Sequence, residues 1–234
     1  MKIDFHVHTD RSVDGVHRPR EMVKYARNVG LDAIAITDHN QLFPWNEARR
    51  LSKEFGIVVI PGIEGGNFAL GKHWIAIGIR DRPVIKKICD LPKIIQDRSG
   101  LAIAPHPYTR LGYDNYADLG FKVVEAFNGT EPEASRKVCH TRGISEVTGS
   151  DSHAAPMLGF CWSVVDACET IEDILESVRK GFCISQGTRV PFSRCLHLYG
   201  VYFTNRILCR PASMLYSLYE MAQSPCKTEE GEIL

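Results

Sequence analysis

The sequence predicts an α/β protein whose βα units curl into a barrel. Short apolar strands alternate with helical segments over residues 1–190, the pattern that builds a parallel sheet covered by helices. In almost every unit a histidine or an acidic residue follows the strand. The rim at the C-terminal ends of the strands is where βα-barrel enzymes place their chemistry. Roughly seven units are present, which suggests a closed or distorted barrel, with a doubly wound open sheet as the competing topology.

Each element carries its own signal. Residues 3–7 form a short apolar strand. Pro19 opens a helix over 20–28, because its fixed φ suits the first helical turn, and Gly30 stops it. Residues 32–37, Asp-Ala-Ile-Ala-Ile-Thr, read as a buried strand. Residues 45–55 read as a helix with Gly56 as its left-handed stop. Residues 57–60 are an apolar strand, with Glu64 just past it. Residues 73–79 alternate and read as another strand. Residues 83–98 read as helical, broken or kinked by Pro92. A strand over 101–104 delivers His106, and one over 122–127 ends at Asn128-Gly129. A helix over 131–142 leads to a strand over 144–148, which delivers Asp151 and His153. A strand over 162–166, a helix over 171–180 and a strand over 183–186 close the pattern.

After Pro191 the alternation stops. The expected organisation is a domain over 1–190 and a C-terminal extension over 191–234. The extension is rich in aromatic and aliphatic residues and is expected to be partly helical. It is expected to pack on the barrel or on a second copy of the chain, and its last residues, from Pro225, are expected to fray.

Composition narrows the function classes. Of the 234 residues, 44% are apolar, which excludes wholesale disorder. Formal net charge is zero, which argues against a nucleic-acid binder that relies on a broad basic field. The late apolar stretch from Leu196 to Leu218 is interrupted by Asn205, Arg206 and Arg210, so it does not read as a membrane span. No charged segment followed by an apolar run opens the chain, and the expected compartment is the cytoplasm. The eight cysteines form no Cys-x-x-Cys pair and read as buried, reduced thiols. No glycine-rich phosphate loop and no internal repeat are present.

The chemistry concentrates in one set of residues. The chain opens with Asp4-Phe5-His6-Val7-His8-Thr9. Asp14, Thr37-Asp38-His39, Glu64, His73, Pro105-His106-Pro107 and Gly149-Ser150-Asp151-Ser152-His153 follow. Six of the nine histidines fall in this set, with Asp14, Glu64 and Asp151 interleaved. Because side chains on a strand alternate, His6 and His8 share a face, as do Asp151 and His153. Imidazole and carboxylate together favour zinc, manganese or iron(II), and the absence of cysteine weakens a purely structural zinc site. Three divalent ions against three carboxylates and a bridging hydroxide leave the pocket at roughly +2, a charge that attracts phosphate dianions. Adjacent ions also lower the pKa of a shared water and stabilise the attacking and leaving oxygens. The set therefore predicts a multi-metal hydrolytic centre.

Taken together and in order, His-x-His-Thr, Thr-Asp-His, the Glu after Pro-Gly-Ile, the later His-Pro and Gly-Ser-Asp-x-His resemble the PHP (polymerase and histidinol phosphatase) family. The resemblance runs from His6 to about Gln186. It implies a distorted (β/α)7 TIM-like barrel and a phosphoesterase centre of two or three metals. It also implies that His6, His8, Glu64 and Asp151 hold one ion and that Asp14, His39 and His153 hold a second. Glu64 would bridge to a third ion, completed by His73 and His106. Glu64, Asp151 and His153 are the residues expected closest to the chemistry. The segment Ser12-Val13-Asp14-Gly15 is one residue longer than the family's usual tight form, which makes Asp10 a rival for the place of Asp14. Asp38 is expected to orient a ligating imidazole from behind. Arg110 and Asn128 are candidate substrate contacts, and His17, His140 and His197 match no motif.

The expected activity is metal-dependent hydrolysis of phosphate esters by a metal-bridged hydroxide, on a small phosphorylated metabolite or nucleotide. Two alternatives stand beside it. One is a nuclease or nucleotide phosphodiesterase acting on nucleic-acid ends, which the neutral net charge disfavours. The other is a non-catalytic scaffold in a larger complex, which retention of all nine candidate ligands disfavours. No membrane partner is expected, and self-association through residues 191–234 is one role for the extension.

Overall fold

A computed structural model describes residues 1–66, 71–132, 143–167 and 169–196. Most of the expected helix over 131–142, the aromatic-rich stretch after Leu196, and His140, His197, Cys139, Cys168, Cys209 and Cys226 lie outside the described residues. Nine strands are described: β1 (Lys2–Val7), β2 (Ala33–Ile36), β3 (Val58–Gly65), β4 (Trp74–Ile77), β5 (Leu101–Ala104), β6 (Val123–Asn128), β7 (Ser145–Gly149), β8 (Cys161–Val165) and β9 (Cys183–Gly187). The described helices include α1 (Pro19–Asn28), α2 (Trp45–Phe55), α3 (Leu91–Asp97) and α4 (Ile171–Arg179), with short 3-10 turns at Ile88–Asp90 and Ala155–Met157.

The strands join in one sheet, in the order β7-β6-β5-β4-β3-β2-β1-β8-β9. The sheet then curls back on itself. The His6 carbonyl accepts from the Asp151 amide at 2.9 Å, and the His8 amide donates to the Ser152 carbonyl at 2.9 Å. The segment leaving β7 thus pairs with the end of β1. The start of β1 pairs instead with β8, which runs antiparallel to it. The result is a nearly closed, distorted barrel, and the open-sheet alternative is excluded.

Strand direction is less uniform than the alternation suggested. β1, β2 and β3 run parallel, as do β5, β6 and β7. β4 is antiparallel to both β3 and β5. β3 also continues through Pro61-Gly62 as far as Gly65, so Glu64 lies inside the strand and not beyond it. Pairing with β4 from Gly62 onward sustains this extension. The helix expected over 83–98 shortens to α3 and its preceding turn, with Pro92 in the first helical turn, where a missing N–H costs nothing.

Packing divides into layers. Ile3, Phe5, Ala33, Ala35, Ile60, Ile75, Ile77, Ile103, Val123 and Val147 form one buried cluster with Ile174, Leu175 and Val178 of α4. Side chains from so many successive strands can meet only inside the barrel. α4 closes the end away from the metal-type residues: Arg179 bonds the Gly100 carbonyl just before β5, at 3.2 Å. Outside, α1 and α2 cover Ile34, Ile36 and Val59. On the other flank, α3 covers Ala76, Ala102 and Val124. Each helix buries one apolar stripe, for example Met22, Val23 and Ala26 of α1. Among the described cysteines Cys161 is buried, but Cys89 is exposed, contrary to the expectation that the thiols are buried. No described helix is long and apolar enough to cross a membrane.

Candidate metal centre

The strand ends bring the metal-type residues to one rim. β1 carries His6 and leads into His8, β2 leads to His39, β3 carries Glu64, β5 leads to His106, and β7 leads to Asp151 and His153. His73 precedes β4 instead of following it. Because β4 runs antiparallel, its starting end lies on the rim where its neighbours finish. All nine residues named from the sequence therefore converge, although their elements are scattered along the chain.

The local backbone is shaped for this. Between Asp4 and Val7, β1 has one residue more than the facing stretch of β2, and β6 has a similar irregularity between Glu125 and Phe127. Such bulges re-aim side chains next to functional sites. Asp151 and His106 have positive φ, 55° and 29°, a conformation that L-residues avoid. Gly15 lets the loop after β1 fold back, since a Cβ there would sit 1.8 Å from the Thr9 carbonyl oxygen.

His6 Nε2 lies 3.0 Å from His8 Nε2, 3.4 Å from Glu64 Oε2 and 3.5 Å from Asp151 Oδ1. His8 Nε2 lies 3.4 Å from Glu64 Oε2 and 3.3 Å from Asp151 Oδ1. Four ligands about 2.0–2.2 Å from a tetrahedral ion would stand about 3.3–3.6 Å apart. These side chains therefore enclose a space that a divalent ion fits. Asp14 Oδ2 stands 3.5 Å from His39 Nε2 and 3.0 Å from His153 Nε2. On the other side of Glu64, Oε1 faces His73 Nδ1 at 3.0 Å and His106 Nε2 at 3.2 Å. The two oxygens of Glu64 thus look toward different groups. His39 also has two faces: its Nδ1 is 3.0 Å from Glu64 Oε2, which makes His39, Glu64 and His73 a further possible ligand group.

Two buried oxygens support a cation here. Glu64 Oε2 and Asp14 Oδ1 have no hydrogen-bond partner, although imidazole nitrogens crowd Glu64 Oε2 at 3.0–3.4 Å. A buried carboxylate oxygen without a donor is costly, and a metal ion removes that cost.

Burial and pairing set the electrostatics. Burial alone would lower the pKa of His6, but Asp151, Glu64 and Glu125 outweigh it and hold the ring well above the ordinary histidine value. His39 is raised in the same way against its burial, by Glu64 and Asp14. His153 rises to about 9, with Asp14 outweighing its burial. His8 goes the other way: burial, reinforced by His153 and His39, lowers it to about 3. The carboxylates mirror this. Burial would raise Asp14, Glu64 and Asp151, but the surrounding imidazoles hold all three well below the usual range.

Supporting residues surround the cluster. Asp38 does not touch an imidazole in the way expected. It accepts from the Thr9 amide at 2.6 Å, the Thr9 hydroxyl at 2.8 Å and the Ser12 hydroxyl at 3.1 Å. Ser12 Oγ in turn accepts from the His39 amide at 2.8 Å and lies 3.2 Å from His8 Nδ1. Asp38 reaches the His8 imidazole and the His39 backbone through Ser12, because the loop places that hydroxyl between them. Asn128, expected to contact substrate, is fully buried. Its amide donates to Glu125 at 2.9 Å and to Asp151 at 3.4 Å, and its oxygen accepts from Thr130 and Glu131. These bonds make it a brace within the shell. Arg110 is exposed on the loop after His106. The Asp10 amide bonds the His17 carbonyl, whereas it is the Asp14 carboxylate that lies between His39 and His153.

Glu125 escaped the sequence reading. It is 1% exposed, and it bonds His6 Nδ1 at 3.0 Å and the His106 amide at 2.6 Å. The signal was a lone acid inside the apolar strand Val123-Val124-Glu125-Ala126-Phe127, a position where burial requires a partner.

Comparison with known proteins bears on the family and the fold. The family model described as the PHP domain matches residues 4–184. The uncharacterized protein MJ1587 of Methanocaldococcus jannaschii is 36% identical over 148 residues, which cover 55% of this chain and 82% of that protein. The PolC-type DNA polymerase III of Caldanaerobacter subterraneus is 40% identical over 65 residues, 27% of this chain and only 5% of the polymerase. Among solved structures, a two-domain protein of Bacteroides vulgatus containing a predicted PHP-like metal-dependent phosphoesterase superposes with a TM-score of 0.64 at 22% identity. That alignment covers 80% of this chain and 65% of the other, and it speaks for the fold alone.

Proposed function

The chain belongs to the PHP domain family, and from that premise we propose that it hydrolyses phosphate esters of a small phosphorylated metabolite or nucleotide with the help of two or three divalent ions. The observation that carries this reading is the shell of four donor atoms from His6, His8, Glu64 and Asp151, with Glu64 shared toward His73 and His106. In this reading Asp14, His39 and His153 hold a second ion, and His73 and His106 with Glu64 hold a third. Bound there, zinc, manganese or iron(II) would acidify a water and neutralise charge on the phosphoryl oxygens.

The chain's own residues define the approach. Side-chain exposure is 25% for Asp14, 16% for Asp151 and 14% for His153, against at most 7% for His6, His8, His39, Glu64, His73 and His106. Substrate therefore reaches the centre past Asp14, Asp151 and His153. Asp151 is held for that position by Thr130 and Asn128. Arg110, exposed on the loop after His106, is the candidate to meet a phosphate from the side.

The test combines metal content with turnover on phosphomonoesters, dinucleotides and short single strands. Two to three equivalents of metal and hydrolysis of small phosphate esters are expected. A folded protein that binds no metal after reconstitution would sink the reading. A second reading, action on nucleic-acid ends, is favoured by the similarity to a DNA polymerase III segment. Preference for single strands, with binding that weakens steeply as salt rises, would select it.

A further inference from the structure

We propose that Glu125 is a positioning residue of this centre: one carboxylate inside the barrel orients the His6 ring and the His106 turn toward the metal. The proposal rests on the metal-binding reading above. Three donors meet this side chain: His6 Nδ1 lies 3.0 Å from Oε1, and the His106 amide and the Asn128 side-chain amide lie 2.6 and 2.9 Å from Oε2.

Each bond has a consequence. An ionised carboxylate only accepts, so a neutral His6 must carry its proton on Nδ1. The lone pair is then on Nε2, which faces His8, Glu64 and Asp151 at 3.0, 3.4 and 3.5 Å. The amide bond ties down His106 at a φ of 29°, and His106 Nε2 then lies 3.2 Å from Glu64 Oε1. Through Asn128 the same carboxylate reaches Asp151, since that amide also lies 3.4 Å from Asp151 Oδ2. Glu125 thus connects residues carried by β1, by the loop after β5 and by the segment after β7.

The fold makes room for it. A Cβ on Gly149 would stand 2.1 Å from Glu125 Oε1 and 2.3 Å from His6 Cβ. Glutamine cannot replace this group, because its single acceptor oxygen cannot face both sides. In either orientation its NH2 opposes the His6 N–H or the His106 and Asn128 donors.

The experiment measures zinc affinity by competition with a chromophoric chelator. Glu125→Gln is expected to bind zinc about 10- to 100-fold more weakly, the usual effect of removing a partner behind a metal-binding histidine. Spectra of zinc-loaded protein labelled with 15N-histidine supply a second readout: wild-type His6 should be protonated at Nδ1, and the variant should lose or shift that signal. Glu125→Asp keeps the charge but shortens the reach to His6 Nδ1 and the His106 amide, so it should weaken zinc binding in the same direction, and it carries the test if Glu125→Gln fails to fold. Wild-type zinc affinity and an unchanged His6 signal in the variants would overturn the proposal. A folded wild-type protein that binds none of zinc, manganese or iron(II) would instead overturn the metal reading beneath it.

Discussion

At Glu64 one side chain faces two groups of imidazoles, and its two oxygens are not interchangeable. Oε2 looks toward His6, His8 and His39, and Oε1 toward His73 and His106. Glu64→Gln removes a charge that both groups use. It is expected to cost more metal and more turnover than His106→Ala, with a loss on the order of 100-fold or more in turnover. Elemental analysis and phosphatase assays of the two variants check this, and the reverse ranking would remove the bridging role. Asp14→Ala should weaken one ion, whereas Asp10→Ala should leave metal affinity near wild type; side-by-side titration decides. The protons matter too. His153 is held at about 9 by Asp14 despite its burial, so below that pH it is protonated until a metal displaces the proton. Zinc binding at pH 7 should therefore release protons, and apparent affinity should rise as pH climbs toward 9. Calorimetric titration in buffers of different ionisation enthalpy reads the number released.

Among the elements, strand direction and bulges decide more than strand identity. His73 reaches the rim only because β4 is reversed, and His6 and Glu125 sit beside bulges that turn them inward. α4 has a separate task at the opposite end. Its Leu175 is 3% exposed and packs in the cluster that fills the barrel. Leu175→Ala should cost about 2–5 kcal/mol of stability by leaving a cavity. It should leave the number of bound ions unchanged, because no candidate ligand lies on α4. Denaturant titration with and without zinc separates the two effects; loss of metal from a folded Leu175→Ala protein would show that the two ends are coupled.

For the whole molecule, closure of the barrel and metal binding should support one another. The bonds that join β7 to β1 are made by the backbones of His6, Asp151, His8 and Ser152, so the metal-type residues are themselves the seam. Ions bound across this seam stabilise the native state by mass action, about 2.7 kcal/mol at 100 times the dissociation constant. Chelator should therefore lower the melting temperature, and added zinc or manganese should restore it. We propose that residues 191–234 govern assembly or substrate choice. Truncation before Ser193 should alter mass in light scattering or substrate preference while metal stoichiometry persists, since every candidate ligand precedes it.

The sequence by itself carried the alternation of strand and helix and the rim of nine metal-type residues. Strand ends, apolar runs and His-x-His spacing are local signals, and local spacing is enough to read them. It also favoured Asp14 over Asp10 as a ligand, a choice that side-by-side metal titration of the two variants tests. Tertiary structure alone decided the reversal of β4, the seam between β7 and β1, and the partners of Asn128 and Glu125. Those depend on contacts between residues far apart in the chain: Glu125 meets His6 across 119 positions. Glu125 in a row of apolar residues could be read only as an acid in need of a partner. The partner became visible once the sheet had curled and brought β7 against β1, with Glu125 of β6 facing His6.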